Sequence, residues 1–156
     1  MKSNYDSSTD TLNHSRNVLR FMNIIIHELT KRAEVHDKSK LLSPEKEIFD
    51  EYTPKLKTST YGSDEYKEFL KGMGDGLKHH YSVNRHHPEH FDDGINDMNL
   101  LDIMEMLCDW KAATLRHNDG DIYKSLEINA SRFGVKKQLL RILQNTVKDM
   151  VMEKGK

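Results

Sequence analysis

The sequence holds a single cysteine, Cys108, so no disulfide can form within the chain, and a lone thiol fits a reducing, cytoplasmic setting. It also lacks a long apolar run. Ile24–Ile26 falls far short of the ~20 residues that a membrane span needs. The first ten residues are polar, with no apolar core of a secretory signal. Neither sign of charge dominates: 24 Lys and Arg against 25 Asp and Glu leave a net charge of −1, which argues against a nucleic-acid or anionic-membrane partner. No segment alternates with period 2, so no strand is expected. Gly72-Met73-Gly74 is not followed by Gly-Lys-Ser/Thr, which argues against a Walker-type kinase or ATPase.

What is present is helical patterning throughout a length, 156 residues, that suits one domain with a core of its own. The expectation is an all-α, single-domain bundle of about six helices over residues 1–156, with an ordered core near 9–152. Asp10 reads as an N-cap before Leu12, Val18, Leu19 and Met22. A second stretch runs from Ile24 to Lys40. Ser43-Pro44-Glu45 marks a helix start, with that helix ending near Tyr52 before Pro54. Ser63 opens the next, whose glycines at 72, 74 and 76 each weaken it by about 1 kcal/mol unless packing compensates or the helix breaks. Tyr81 to Asn96 reads as a loop, since Pro88 drives His87 out of the helical region. Helices follow over Met98–His117, Asp121–Phe133 and Val135–Met152. No repeat or low-complexity segment interrupts them.

Histidine is enriched: nine in all, five of them (His79, His80, His86, His87, His90) within twelve residues. His36-Asp37 pairs a nitrogen donor with an anionic oxygen, a mixed set suited to borderline divalent ions. Lys40, about one turn beyond, could neutralise a phosphate oxygen beside such an ion; as a bland alternative, the segment is a polar helix end. Asp102, Glu105 and Asp109 share a face of an apolar helix, and an enclosed Asp109 beside Trp110 would need a cation, with a solvated acidic stripe as the alternative. Helical phase along Tyr66, Leu70, Met73 and Leu77 turns His80 inward and His79 away. In the loop phase is silent, and one of His86 or His87 is the candidate ligand. His27, His90 and His117 read as surface or capping residues. Arg85 and Arg116 are candidates for binding phosphate, with salt bridges as the alternative.

These residues, in this order, resemble the HD-domain superfamily of metal-dependent phosphohydrolases. Its signature is a histidine, then His-Asp, then a distant aspartate, each on a separate helix. The resemblance assigns His14, His36, Asp37 and Asp109 as metal ligands, and His80, His86 and His87 as candidates for a second ion. Ser39 replaces the glycine of the family's frequent His-Asp-x-Gly-Lys. Three stretches, His36-Asp37-x-Ser39-Lys40, His86-His87-Pro88-Glu89-His90 and Glu105–Trp110, also resemble a small HD-like family of bacteria and their viruses. Spacing sets a condition: His14 and His36 are 22 residues apart, about 33 Å along one helix. They can share an ion only if the chain reverses, and Phe21–Ile24, with Asn23 as turn residue, is where a turn is expected; on a straight helix His27 would take the place of His14.

The resemblance implies one or two divalent ions (Mn, Fe, Co, Ni or Zn, with Mg also admitted) that activate a water toward a phosphomonoester or phosphodiester. A nucleotide is the implied substrate, so the expected activity is that of a nucleotidase or phosphodiesterase. Lys40, Arg85 and Arg116 would hold the phosphate, and Asp37 or a loop histidine would take the water's proton. Two rivals stand beside it: a diiron HD-type oxygenase, and a non-catalytic helical binding protein whose metal is structural or lost. A homodimer is expected only on general grounds.

Overall fold

The computed structural model describes residues 5–60, 62–116 and 120–152. These residues are all-α: seven helices and three 3-10 turns, with no strand among them. His117, expected at a helix end on the surface, lies outside the described residues. None of the described helices is long and apolar enough to cross a membrane. The chain divides into two compact units, Met1–Val35 and His36–Lys156.

The first unit is one helix, α1 (Ser8–Val35). It begins two residues ahead of the expected cap. The Asp6 carboxylate accepts from the Ser8 amide at 2.9 Å, and Asp10 falls in the first turn, where an acid suits the helix dipole. The reversal expected at Phe21–Ile24 is absent. No glycine or proline interrupts the segment, and one asparagine costs too little to break a helix flanked by Phe21, Met22 and three isoleucines. His14 and Val35 therefore lie about 31 Å apart along the same axis.

The second unit carries α2 (Glu45–Thr58), α3 (Asp64–Gly72), α4 (Gly74–Val83), α5 (Leu100–Thr114), α6 (Ile122–Phe133) and α7 (Lys137–Met152). The expected long helix after Ser63 is split in two, because Gly74 adopts a positive φ of 47°. Gly76 serves close packing instead: a Cβ there would meet the Ile48 side chain at 2.5 Å, so its absence lets α4 lie on α2. That contact explains why α2 continues past its expected end. Packing against α3 and α4 carries the helix through Pro54 to Thr58 despite the missing amide. Ser63 caps its helix as expected, accepting from the Tyr66 amide at 3.1 Å, while Asp121, expected as the first helical residue, is the N-cap of α6 and accepts from the Tyr123 amide at 2.8 Å. Ser43 does not cap α2, whose N-cap position is Pro44.

The core is formed by α5, α6 and α7 around Met106, Leu107, Trp110, Ile122, Leu126, Leu143 and Val147. Trp110 and Phe133 stack with ring centroids 6.1 Å apart. At the start of α5, Asn99 and Asp102 make a reciprocal capping box. Asp102, fully buried, also accepts from Arg85 Nε at 3.1 Å and from a terminal guanidinium nitrogen at 2.9 Å. That pair ties the loop 84–99 to α5 and so places the residues next to Arg85.

Candidate metal centre

Five segments of the second unit converge. His36 and Asp37 begin it. Asp37 takes a left-handed backbone (φ 57°, ψ 12°), which an aspartate tolerates better than most residues, and this turns its carboxylate inward. The 3-10 turn Lys38–Leu41 returns Lys40 to it, and Nζ donates to Asp37 Oδ2 at 2.6 Å. Glu45 comes from the first turn of α2, His80 from the last turn of α4, His86 and His87 from the following loop, and Glu105 and Asp109 from one face of α5.

The two oxygens of Asp37 face different neighbours. Oδ1 lies 3.4 Å from His80 Nε2 and 3.5 Å from His86 Nε2. Oδ2 lies 3.6 Å from His36 Nε2, which is itself 3.7 Å from Asp109 Oδ1. His87 Nε2 closes on His80 Nε2 at 2.8 Å. On the far side of the rings stand two carboxylates: Glu105 Oε1 is 3.0 Å from His36 Nδ1 and 3.4 Å from His86 Nδ1, and Glu45 Oε2 is 2.9 Å from His80 Nδ1. Three imidazoles thus direct Nε2 at one aspartate while Nδ1 rests against a carboxylate.

The charges follow from these contacts. The Asp109 and Glu105 carboxylates against its ring push His36 up to about 10. Burial, reinforced by the imidazoles of His86 and His80, pushes His87 down to about 2 and keeps it neutral. Burial opposes ionisation of Glu105, yet the hydrogen bonds of His36 and His86 outweigh it and hold the carboxyl below its ordinary range. Burial likewise opposes ionisation of Asp37, and the Lys40 ammonium overcomes it.

Two buried atoms have no hydrogen-bond partner among the described residues: Asp37 Oδ1 and His86 Nε2. An orphaned acceptor of this kind is costly unless a cation or proton serves it. Three sets of side chains bring ligand atoms close enough for an ion: Asp37, His80, His86 and His87; His36, Asp37 and Asp109; and His36, His86 and Glu105. The first is rich in nitrogen and suits a borderline transition metal, the second is rich in oxygen, and Asp37 belongs to both.

The profile of a family described as one of unknown function, DUF5662, matches residues 3–153. The chain belongs to that family. Every residue of the DUF5662 centre, from His36 to Asp109, lies inside the match. No curated protein and no solved structure matches the chain.

Of the residues singled out in the sequence, the structure brings together His36, Asp37, Lys40, His80, His86, His87 and Asp109. Both loop histidines reach the cluster, not one. His80 is 1% exposed while the His79 side chain is 43% exposed, as helical phase requires. His14 and His27 lie on the unbroken α1 of the first unit, and no ligand set among the described residues includes either. Arg85 is engaged by Asp102 and acts as a strut for the loop. Arg116 sits exposed in the turn after α5, two helical turns beyond Asp109. A shallow hollow lined by Arg16, Leu19, Arg20, Asn23, Ile24 and His27 lies within the first unit and gathers no ligand set.

Two contributors were not assigned in the sequence. Glu105 had a signal, since it shares a helical face with Asp109 four residues on. Glu45 had none beyond its place in the first turn of α2, which the helix dipole explains equally well.

Proposed function

We propose that this chain is a metal-dependent phosphohydrolase of the HD type, acting on a small phosphate ester, in the first instance a nucleotide. The observation that carries the reading is the buried, partnerless pair Asp37 Oδ1 and His86 Nε2, set among histidines whose far nitrogens are already occupied. Such an arrangement leaves ring nitrogens and carboxylate oxygens available to a cation and to little else. Asp37, His80, His86 and His87 would hold one ion; His36, Asp37 and Asp109 would hold a second. A divalent ion bound there supplies a lowered water pKa and polarises a phosphoryl oxygen.

The chain's own residues supply the rest. Lys40 presents an ammonium group at the rim, 4.8 Å from the Phe49 ring centroid, where it can hold an anionic oxygen of the substrate. His87, kept neutral by burial, enters as a nitrogen donor and not as a store for a proton. His36 must lose a proton before its Nε2 can serve as a ligand, so ion uptake is coupled to proton release.

The test is metal analysis of the untagged protein with a phosphate-release assay over a nucleotide panel and added Mn, Co, Ni, Zn or Mg. Metal-dependent release that disappears in Asp37→Ala supports the hydrolase. Two bound irons without phosphate release would favour the diiron oxygenase, which the nitrogen-rich set also suits. No bound ion and no activity with any metal would leave a helical binding protein.

A further inference from the structure

Glu45 is fully buried at the first turn of α2, a place where a carboxylate needs a specific reason to be. It belongs to none of the three ligand sets, yet both its oxygens are used. Oε1 lies 2.7 Å from His79 Nδ1; Oε2 lies 2.9 Å from His80 Nδ1 and 2.8 Å from Ser39 Oγ.

The protons around it can be assigned. The Asn84 side-chain amide has two to donate, and they go to the His80 carbonyl at 2.8 Å and to Ser39 Oγ at 2.9 Å. Ser39 has one, which goes to Glu45 Oε2. The contact of 3.0 Å between Asn84 Nδ2 and His80 Nδ1 therefore has no amide proton left to serve it. What remains is for His80 Nδ1 itself to carry the ring proton and donate it to Glu45. A neutral imidazole has only one such proton, so the lone pair stands at Nε2, where it accepts from His87 Nε2–H at 2.8 Å in the ion-free chain and faces Asp37 Oδ1 at 3.4 Å.

We infer that Glu45 is a positioning residue for the nitrogen-rich half of the centre, fixing His80 in the Nδ1–H tautomer so that Nε2 faces Asp37. It does for His80 what Glu105 does for His36 and His86, but it touches only the set Asp37, His80, His86 and His87. A glutamine in its place offers one acceptor oxygen where the carboxylate offers two. Even with that oxygen kept on Ser39 and His80 and its N–H turned to His79 Nδ1, it lacks the negative charge that strengthens the bond to the His80 ring N–H. The inference rests on the metal reading above, and it makes the two ion positions separable: loss of Glu45 should weaken one and spare the other.

Two measurements on the full chain test it. In the chelator-treated, 15N-histidine-labelled protein, long-range 1H–15N spectra should show His80 as the Nδ1–H tautomer; the Nε2–H form would overturn the role of Glu45. Calorimetric titration with Zn or Co should then give two ions for the wild type. Glu45→Gln should lower the affinity of one of them about 10–100-fold, with the other unchanged and His79→Gln close to wild type. Two ions bound equally well by Glu45→Gln would overturn the inference and leave the metal reading standing. A wild-type chain that takes up no ion would overturn both. The tautomer measurement needs no variant, so it decides the question even if Glu45→Gln does not fold.

Discussion

Asp37 carries two separate strains, a left-handed backbone and a buried oxygen without a partner, and both point its carboxylate at the same histidines. Strain of this kind persists only where surrounding contacts enforce it, here the Lys40 ammonium and the 3-10 turn that begins at Lys38. The carboxylates around the cluster give the metal-free protein an acid limit. Glu45 and Glu105 ionise below the ordinary 4.5 in the folded chain, against burial, because His79, Ser39 and His80 hold the first and His36 and His86 the second. A folded-state pKa below the unfolded one means stability that is complete above about 4.5 and is lost as the pH falls further. Thermal melts in chelator should therefore show a Tm that falls below pH 4.5, and Glu105→Gln should flatten that slope while starting from a lower Tm at pH 7. An unchanged slope in the variant would remove Glu105 from the account.

At the scale of the elements, the site depends on two close contacts. The first is α4 on α2 at Gly76, which sets Glu45 and His80 on facing helices. Gly76→Ala should gain up to about 1 kcal/mol of helix propensity. It should lose about 1–3 kcal/mol to overpacking against Ile48, for a net destabilisation seen as a lower denaturant midpoint. A stabilised variant would mean that α2 and α4 can separate at little cost. The second contact is Arg85 with the buried Asp102, which anchors the loop bearing His86 and His87. Arg85→Ala leaves that carboxylate without its charged partner and should cost about 1–3 kcal/mol, the usual price of an unmet buried group, while weakening ion binding through the loop. If the variant instead kept its Tm and raised only the KM for a phosphate ester, Arg85 would be a substrate residue after all.

For the whole molecule, an ion held only by the folded chain must stabilise it by mass action. At about 100 times its Kd a bound ion adds about 2.7 kcal/mol, which for a domain of this size raises Tm by about 5–11 °C. Scanning calorimetry with and without Zn or Mn should show that rise in the wild type and none in Asp37→Ala. An equal rise in both would place the binding elsewhere, for instance at histidines outside the cluster.

The sequence by itself determined the all-α class, since helical periodicity and the lack of period-2 alternation are local properties of the chain. It also determined most of the candidate centre, because His36-Asp37, the loop histidines and Asp109 are rare enough in combination to stand out. Helical phase told His80 from His79 because that distinction needs only 3.6 residues per turn. Tertiary structure decided the remainder. Whether α1 reverses near Asn23 depends on what the turn would gain by packing, which no local signal encodes, and the helix runs straight. Pro54 stays within α2 because neighbouring helices hold both flanking turns. Glu45 is 35 residues from His80 along the chain. Its role arises only when α2 and α4 meet, since a carboxylate in the first turn of a helix looks the same in sequence whether it faces water or an imidazole.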